Sequence, residues 1–212
     1  MNQYSSSAMR DATKAPTLRD RLRETTSTAI LEAAEQVAAQ EGSANASLSA
    51  IAEKAGVAVG TIYNYFKDRD ELFNALFAKR RTEYYEAIDV ATRAHAREPF
   101  EQQLRGFLSG VFEYFDSHRA FLRICFEADN QARFHAKQGD AKPAAQQLHE
   151  RAERIVKVGL KEKRLKEESS DAYAIVLSSI VRGYLMARQD DPRSYAGEVD
   201  RVMDIFLHGA SR

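Results

Sequence analysis

The stretch from Gly56 to Leu72, GVAVGTIYNYFKDRDEL, gathers Thr61, Tyr63, Asn64, Tyr65 and Lys67 beside two glycines. Hydroxyl, amide and ammonium groups in such a set can hold phosphate oxygens and read the edges of bases. They cannot make or break covalent bonds without a paired base or a metal. The rest of the chain offers little of that chemistry. It has no Gly-rich phosphate loop and no nucleophile elbow. Its five histidines (95, 118, 135, 149 and 208) are dispersed, with no His-x-x-x-His pair, which speaks against a metal site. No catalytic residue, cofactor or metal ligand is therefore expected. An all-helical enzyme or protein-interaction module carrying a helix-turn-helix is the competing reading, because a Ser/His/carboxylate set assembled across space leaves no pattern in a sequence. DNA binding with a steep salt dependence separates the two.

The polar residues need an element to present them. At 100° per residue, a short helix over about Val59–Tyr65 puts Val59, Ile62 and Phe66 on one side. Gly60, Thr61 and Asn64 fall opposite, with Tyr63 and Tyr65 on the flanks. Thr61 and Asn64 are then candidate base readers. Tyr63, Tyr65 and Lys67 suit phosphates on either side of a groove, and Gly60 allows close approach. Taken alone, so short a piece reads better as two half-buried core tyrosines and a solvated Asn64.

The neighbouring elements favour the first reading. Leu18 to Gln40 has helical apolar spacing and stops at Gly42. Ser47 can cap a second helix, with Leu48, Ile51, Ala52 and Ala55 on one face and Gly56 at its left-handed end. Asp68-x-x-Glu71 is a capping-box variant opening a long helix to about His95. Two short helices joined by a three-residue turn form a helix-turn-helix, whose second helix fits the major groove.

Residues Ala29 to Leu76 resemble the N-terminal DNA-binding domain of the TetR family of transcriptional regulators. The likeness is carried by ILEAAEQVAAQEG and by SLSAIAEKAGVAVGTIYNYFKDRDELFNAL. The resemblance implies base contacts from Gly60, Thr61 and Asn64 and phosphate contacts from Tyr63, Tyr65 and Lys67. It also places Ser47 and Ser49 at positions that touch backbone or a base. The family often has Lys where Arg69 stands, and Ser or Lys where Val59 stands. The implied partners are a palindromic double-stranded operator, a second copy of the chain and a small-molecule effector.

Charge is neutral overall, with 31 basic and 31 acidic residues, so the whole-chain field gives DNA no attraction. Positive charge is local, from Arg10 to Arg23 and at Lys79–Arg81. The basic stretch at Arg19–Arg23 is expected to extend the DNA contact, since phosphate binding needs only a local patch. The single cysteine, Cys125, cannot form an internal disulfide and reads as a small buried hydrophobe rather than a thiol sensor. No apolar run approaches the roughly 20 residues of a membrane span, and the polar start lacks a signal-peptide core. A cytoplasmic protein without a membrane partner is expected.

The second half predicts five more helices: Pro99 to Asp116, about Arg119–Asp129, about Ala144–Lys163, Ser170 to Gln189, and a last one from Asp191-Pro192 to His208. Asn130 to Pro143 reads as a loop. The fold class is all-α, about nine helices. The expected division is a loose arm (1–16), a helix-turn-helix domain (17–66), a connecting helix (67–95) and an effector-binding and dimerisation domain (96–212). Ala172 to Ala187 is apolar on nearly every side. One face can meet its own domain and the other a second subunit. Ile180, Gly183 and Tyr184, with Val202 and Phe206 of the last helix, are the candidate dimer residues. Phe107, Val111, Phe115 and Phe126, from an aromatic-rich pair of helices, are the candidate effector-pocket residues. Together these features point to a dimeric, ligand-responsive regulator, most simply a repressor released from its operator by a small, largely apolar effector.

Overall fold

The computed structural model describes residues 17–132 and 144–209, with side chains described for 17–127 and 146–209. The expected arm at 1–16 lies outside them. So does the expected loop from 133 onward, while its first three residues continue a helix. Among the described residues the protein is all-helical. The helices are α1 (Leu18–Glu41), α2 (Leu48–Ala55), α3 (Val59–Tyr63), α4 (Arg69–Ala94), α5 (Phe100–Ser117), α6 (Arg119–Ala132), α7 (Ala144–Lys161), α8 (Ser170–Ala187) and α9 (Val199–His208).

Helix ends follow local chemistry. The Thr17 hydroxyl accepts from the Asp20 amide, and the Asp20 carboxylate accepts from the Thr17 amide. Ser47 caps α2 by accepting from the Ala50 amide at 3.1 Å. Gly56 closes α2 with φ +68°, a left-handed conformation in which a side chain would be strained. Asp68 caps α4 by accepting from the Glu71 amide at 2.8 Å. The Glu71 carboxylate takes the Lys67 amide at 2.6 Å, so the box closes one residue earlier than the Asp-x-x-Glu spacing predicts.

Two expectations need correction. Leu18 and Leu22 do not join the apolar face of α1. They are exposed, and the buried face begins at Ile30. The last helix does not start at Asp191-Pro192. Asp191 instead accepts from the Arg193 amide and pairs with Arg188, and a 3-10 turn at Ala196–Glu198 leads into α9 at Val199. The local turn satisfies the Asp191 carboxylate, so it is not available as a helix cap.

The chain builds two apolar cores. The first unites Ile30, Ala34, Val37, Ile51, Ile62 and Phe66 with Leu72, Phe73 and Leu76 of α4. It also takes in Ile124 of α6, fully buried there. The second gathers α5, α7, α8 and α9 around the middle of α4. Phe77 packs against both cores, its ring 5.9 Å from that of Phe121.

Close approach fixes α5 on α4. A Cβ on Gly110 would sit 2.9 Å from the Cα of Ile88, and one on Gly106 would sit 2.9 Å from the Ala91 carbonyl. Two further ties hold the first core to the second. Glu35 of α1 is buried and accepts from Arg80 of α4 at 2.6 Å, while Tyr114 of α5 donates to the Arg80 carbonyl at 2.9 Å. The Ser43 amide, beyond α1, donates to Glu127 of α6 at 3.1 Å.

Candidate nucleic-acid interface

Ile62 and Phe66 are the buried anchors of the short helix. Val59, expected beside them, is 38% exposed. Five helical residues bring only a turn and a half, so one apolar side chain suffices to face the core from α3 and Phe66 follows just beyond.

The polar groups face outward. Tyr63 is 55% exposed, which removes the core-tyrosine reading for that residue. Asn64 ends α3 and is exposed, as is Lys67. Thr61 and Tyr65 are half-buried. Tyr65 packs against the first core with the Arg23 guanidinium 5.5 Å above its ring. That cation–π contact brings the basic end of α1 beside the end of the helix-turn-helix. A Cβ on Gly60 would meet nothing within 4 Å, so the protein itself leaves that spot open. Ser47 spends one lone pair on its cap and keeps its O–H free to donate; Ser49 is exposed. All eight nominated residues therefore lie on α2 and its cap, α3 and the turn after it, and none of them is fully buried.

Among the described residues, Arg19, Arg21 and Lys67 form no ion pair, so their charge is available to an outside anion. Sequence reasoning assigned Arg69 only a retained charge. Its guanidinium in fact donates to the carbonyls of Ala46 and Ser43 and lies 4.7 Å over the Phe73 ring. It braces the α1–α2 loop against α4, its forked guanidinium reaching both carbonyls at once. The signal was its place one residue after the α4 cap, beneath that loop only in the folded chain.

The residues nominated in the second half are placed as follows. Phe107, Val111, Phe115 and Phe126 are all buried in the second core, with the Phe115 and Tyr84 rings 5.0 Å apart. Gly183 is exposed, while Ile180, Tyr184 and Phe206 are half-buried. Tyr184 donates to Glu198 at 2.6 Å and accepts from Arg188 at 2.7 Å, so its hydroxyl is committed within the chain. Val202 faces inward and has no surface to offer a partner. The outward face of α8 is instead Ile175, Val176, Ser179, Gly183 and Met186, with Ile205 of α9 also exposed. Ile205 was missed because it lies off the Val202–Phe206 stripe.

No described helix is long and apolar enough to cross a membrane. Residues 30–76 match the family model of bacterial regulatory proteins, tetR family. A fatty acid metabolism regulator protein of Bacillus subtilis is 38% identical over 71 residues, 32% of this chain and 37% of that protein. The BetI transcriptional regulator of Stenotrophomonas maltophilia is 34% identical over 95 residues, 45% of this chain and 48% of that protein. The matched stretch thus spans half or less of these relatives. Over the longer chain the likeness is one of fold. The TetR family regulator PfmR of Thermus thermophilus covers 86% of this chain and 99% of its own at a TM-score of 0.69 and 17% identity. The FadR regulator of Bacillus subtilis, solved with stearoyl-CoA, covers 87% and 99% at a TM-score of 0.62 and 19% identity. Residues 30–76 thus carry the sequence likeness to the tetR family of bacterial regulatory proteins, and the rest of the described chain shares the fold of TetR-family regulators.

Proposed function

We propose that the protein is a dimeric, cytoplasmic transcription regulator that binds a palindromic operator through α2 and α3 and leaves it when an apolar effector binds residues 96–212. The observation that carries the reading is the outward tip of α3. Gly60, Tyr63 and Asn64 are exposed on a helix whose packing is complete without them. An unspent polar surface beside unpaired basic residues is what a duplex would fill. The exposed apolar stripe of α8 supports dimerisation, since a helix face this apolar asks for a partner. Two copies would then present their α3 helices to successive major grooves, about 34–36 Å apart on undistorted DNA. The aromatic α5 and α6 supply the apolar surroundings for an effector, and the regulators of fatty acid metabolism among the relatives point to a long-chain acyl thioester.

Release follows two routes rather than one. The long α4 joins the two cores, and α6 also docks on the first core through Ile124 and Glu127. An effector that shifts α6 would therefore act on the reading head directly. The test is a titration of the DNA flanking the protein's own gene, with salt varied and stearoyl-CoA present or absent. Binding whose log affinity falls with log salt by about 0.9 per neutralised phosphate is expected, with release by the thioester. Salt-independent binding would overturn the DNA reading. Unchanged DNA affinity with stearoyl-CoA would overturn the effector class. By linkage, operator must weaken the thioester by the same factor.

A further inference from the structure

We propose that the groove between α4 and α7 is an anion site for a phosphorylated small molecule. The site stands on its own geometry and does not depend on the DNA or effector readings. Arg81, Tyr85, Asp89 and Arg93 are spaced four residues apart, so they share one face of α4. Arg81 and Arg93 are separated along the axis by about 18 Å. Arg151 faces them from α7 across a cavity of about 490 Å³ lined by all four.

The middle of the groove is preformed. Arg151 binds Asp89 in bidentate fashion, at 2.8 and 3.1 Å, with its guanidinium 4.3 Å above the Tyr85 ring. Arg154 adds a third bond to the same carboxylate at 3.2 Å. Two arginines thus saturate Asp89 and leave an excess of positive charge around it. Counting Glu86 as well, four arginines face two carboxylates, a net of +2. Burial pushes the Tyr85 hydroxyl up to about 12, against the pull of Arg151 and Arg81, so no phenolate opposes an incoming anion at neutral pH.

The arginines at the two ends are not committed to a carboxylate, unlike Arg151 and Arg154 in the middle of the groove. Among the described residues, Arg81 and Arg93 have no ion-pair partner. Two guanidinium groups without an ion pair, at either end of one groove already carrying net positive charge, are suited to phosphate oxygens, which guanidinium groups hold by two parallel N–H bonds.

The test is calorimetric titration of the full chain with pyrophosphate, at an ionic strength held constant with sodium chloride. Saturable binding at one site per chain is expected. The Arg81→Gln/Arg93→Gln double variant should bind at least ten-fold more weakly while melting at the same temperature, because neither residue has an ion pair to lose. Arg97→Gln, which removes an exposed charge that does not line the groove, should bind like the unmodified protein. Coenzyme A as a second titrant separates the sources of phosphate. Tighter binding than pyrophosphate, lost in the same double variant, assigns the phosphates of a larger molecule; weaker binding assigns free pyrophosphate. Heats that do not saturate, or equal affinity in the Arg81→Gln/Arg93→Gln variant, would overturn the site.

Discussion

Asn64 and Lys67 lie three residues apart and are both exposed, yet they should fail differently when truncated. An amide can make paired hydrogen bonds to one base edge, so Asn64→Ala should relax preference at one base pair by about 1–3 kcal/mol. An ammonium neutralises phosphate regardless of sequence, so Lys67→Ala should weaken all duplexes alike and lower the salt slope by about one unit per half-site. Affinity measured on a panel of single-substituted operators, at several salt concentrations, separates the two. The same loss of specificity in both variants would show the roles wrongly assigned. Residue types nominated these two positions, and both side chains prove to be exposed. Glu35 was not legible in the same way. It interrupts the apolar run of α1, which signals a buried partner, but nothing local says that the partner is Arg80, 45 residues on.

At the scale of elements, helix ends were readable where the capping residue is adjacent, as at Ser47, Gly56 and Asp68. They were misread at Asp191, whose carboxylate has a closer use. A neighbouring clasp gives a pH prediction. Burial acts to raise the Asp116 carboxyl, but hydrogen bonds from Ser194, the Ala196 and Tyr195 amides and Arg119 outweigh it and hold it below the ordinary carboxylate range. A depressed folded value means that the stabilisation is complete above the unfolded value, near ~4, and is lost as the pH falls below it. The melting temperature should therefore drop more between about pH 5 and about pH 3 in the unmodified chain than in Asp116→Asn. Equal drops would remove Asp116 from the acid response. The α4–α5 contact gives a second prediction at this scale. Gly110→Val must push apart two backbones, since Ile88 Cα blocks the first added atom at 2.9 Å. A loss of about 1–3 kcal/mol is expected, read as a melting temperature lower by about 2–4 °C for each kcal/mol. An unchanged melting temperature would mean that the two helices are free to separate.

For the whole molecule, assembly is the open variable, and Gly183 isolates it. A Cβ there meets nothing within 4 Å of its own chain, so Gly183→Glu leaves the monomer's packing alone and places charge on the apolar stripe of α8. Light scattering should report a dimer for the unmodified protein and a monomer for the variant; a dimer of undiminished stability in the variant would move the interface elsewhere. The all-helical class was legible from spacing over the whole chain. The borrowing of Ile124 by the first core was not, because its stripe on α6 also contains Phe121, which serves the second. That borrowing bears on how such regulators can be recombined. A graft that takes residues 17–95 onto another sensor leaves behind Ile124, a buried side chain of the core that it transplants. The resulting hole resembles a large-to-small core substitution, a cost of about 2–5 kcal/mol. A working chimera would have to carry α6 along with the head, or find in its new host an aliphatic side chain at the same height.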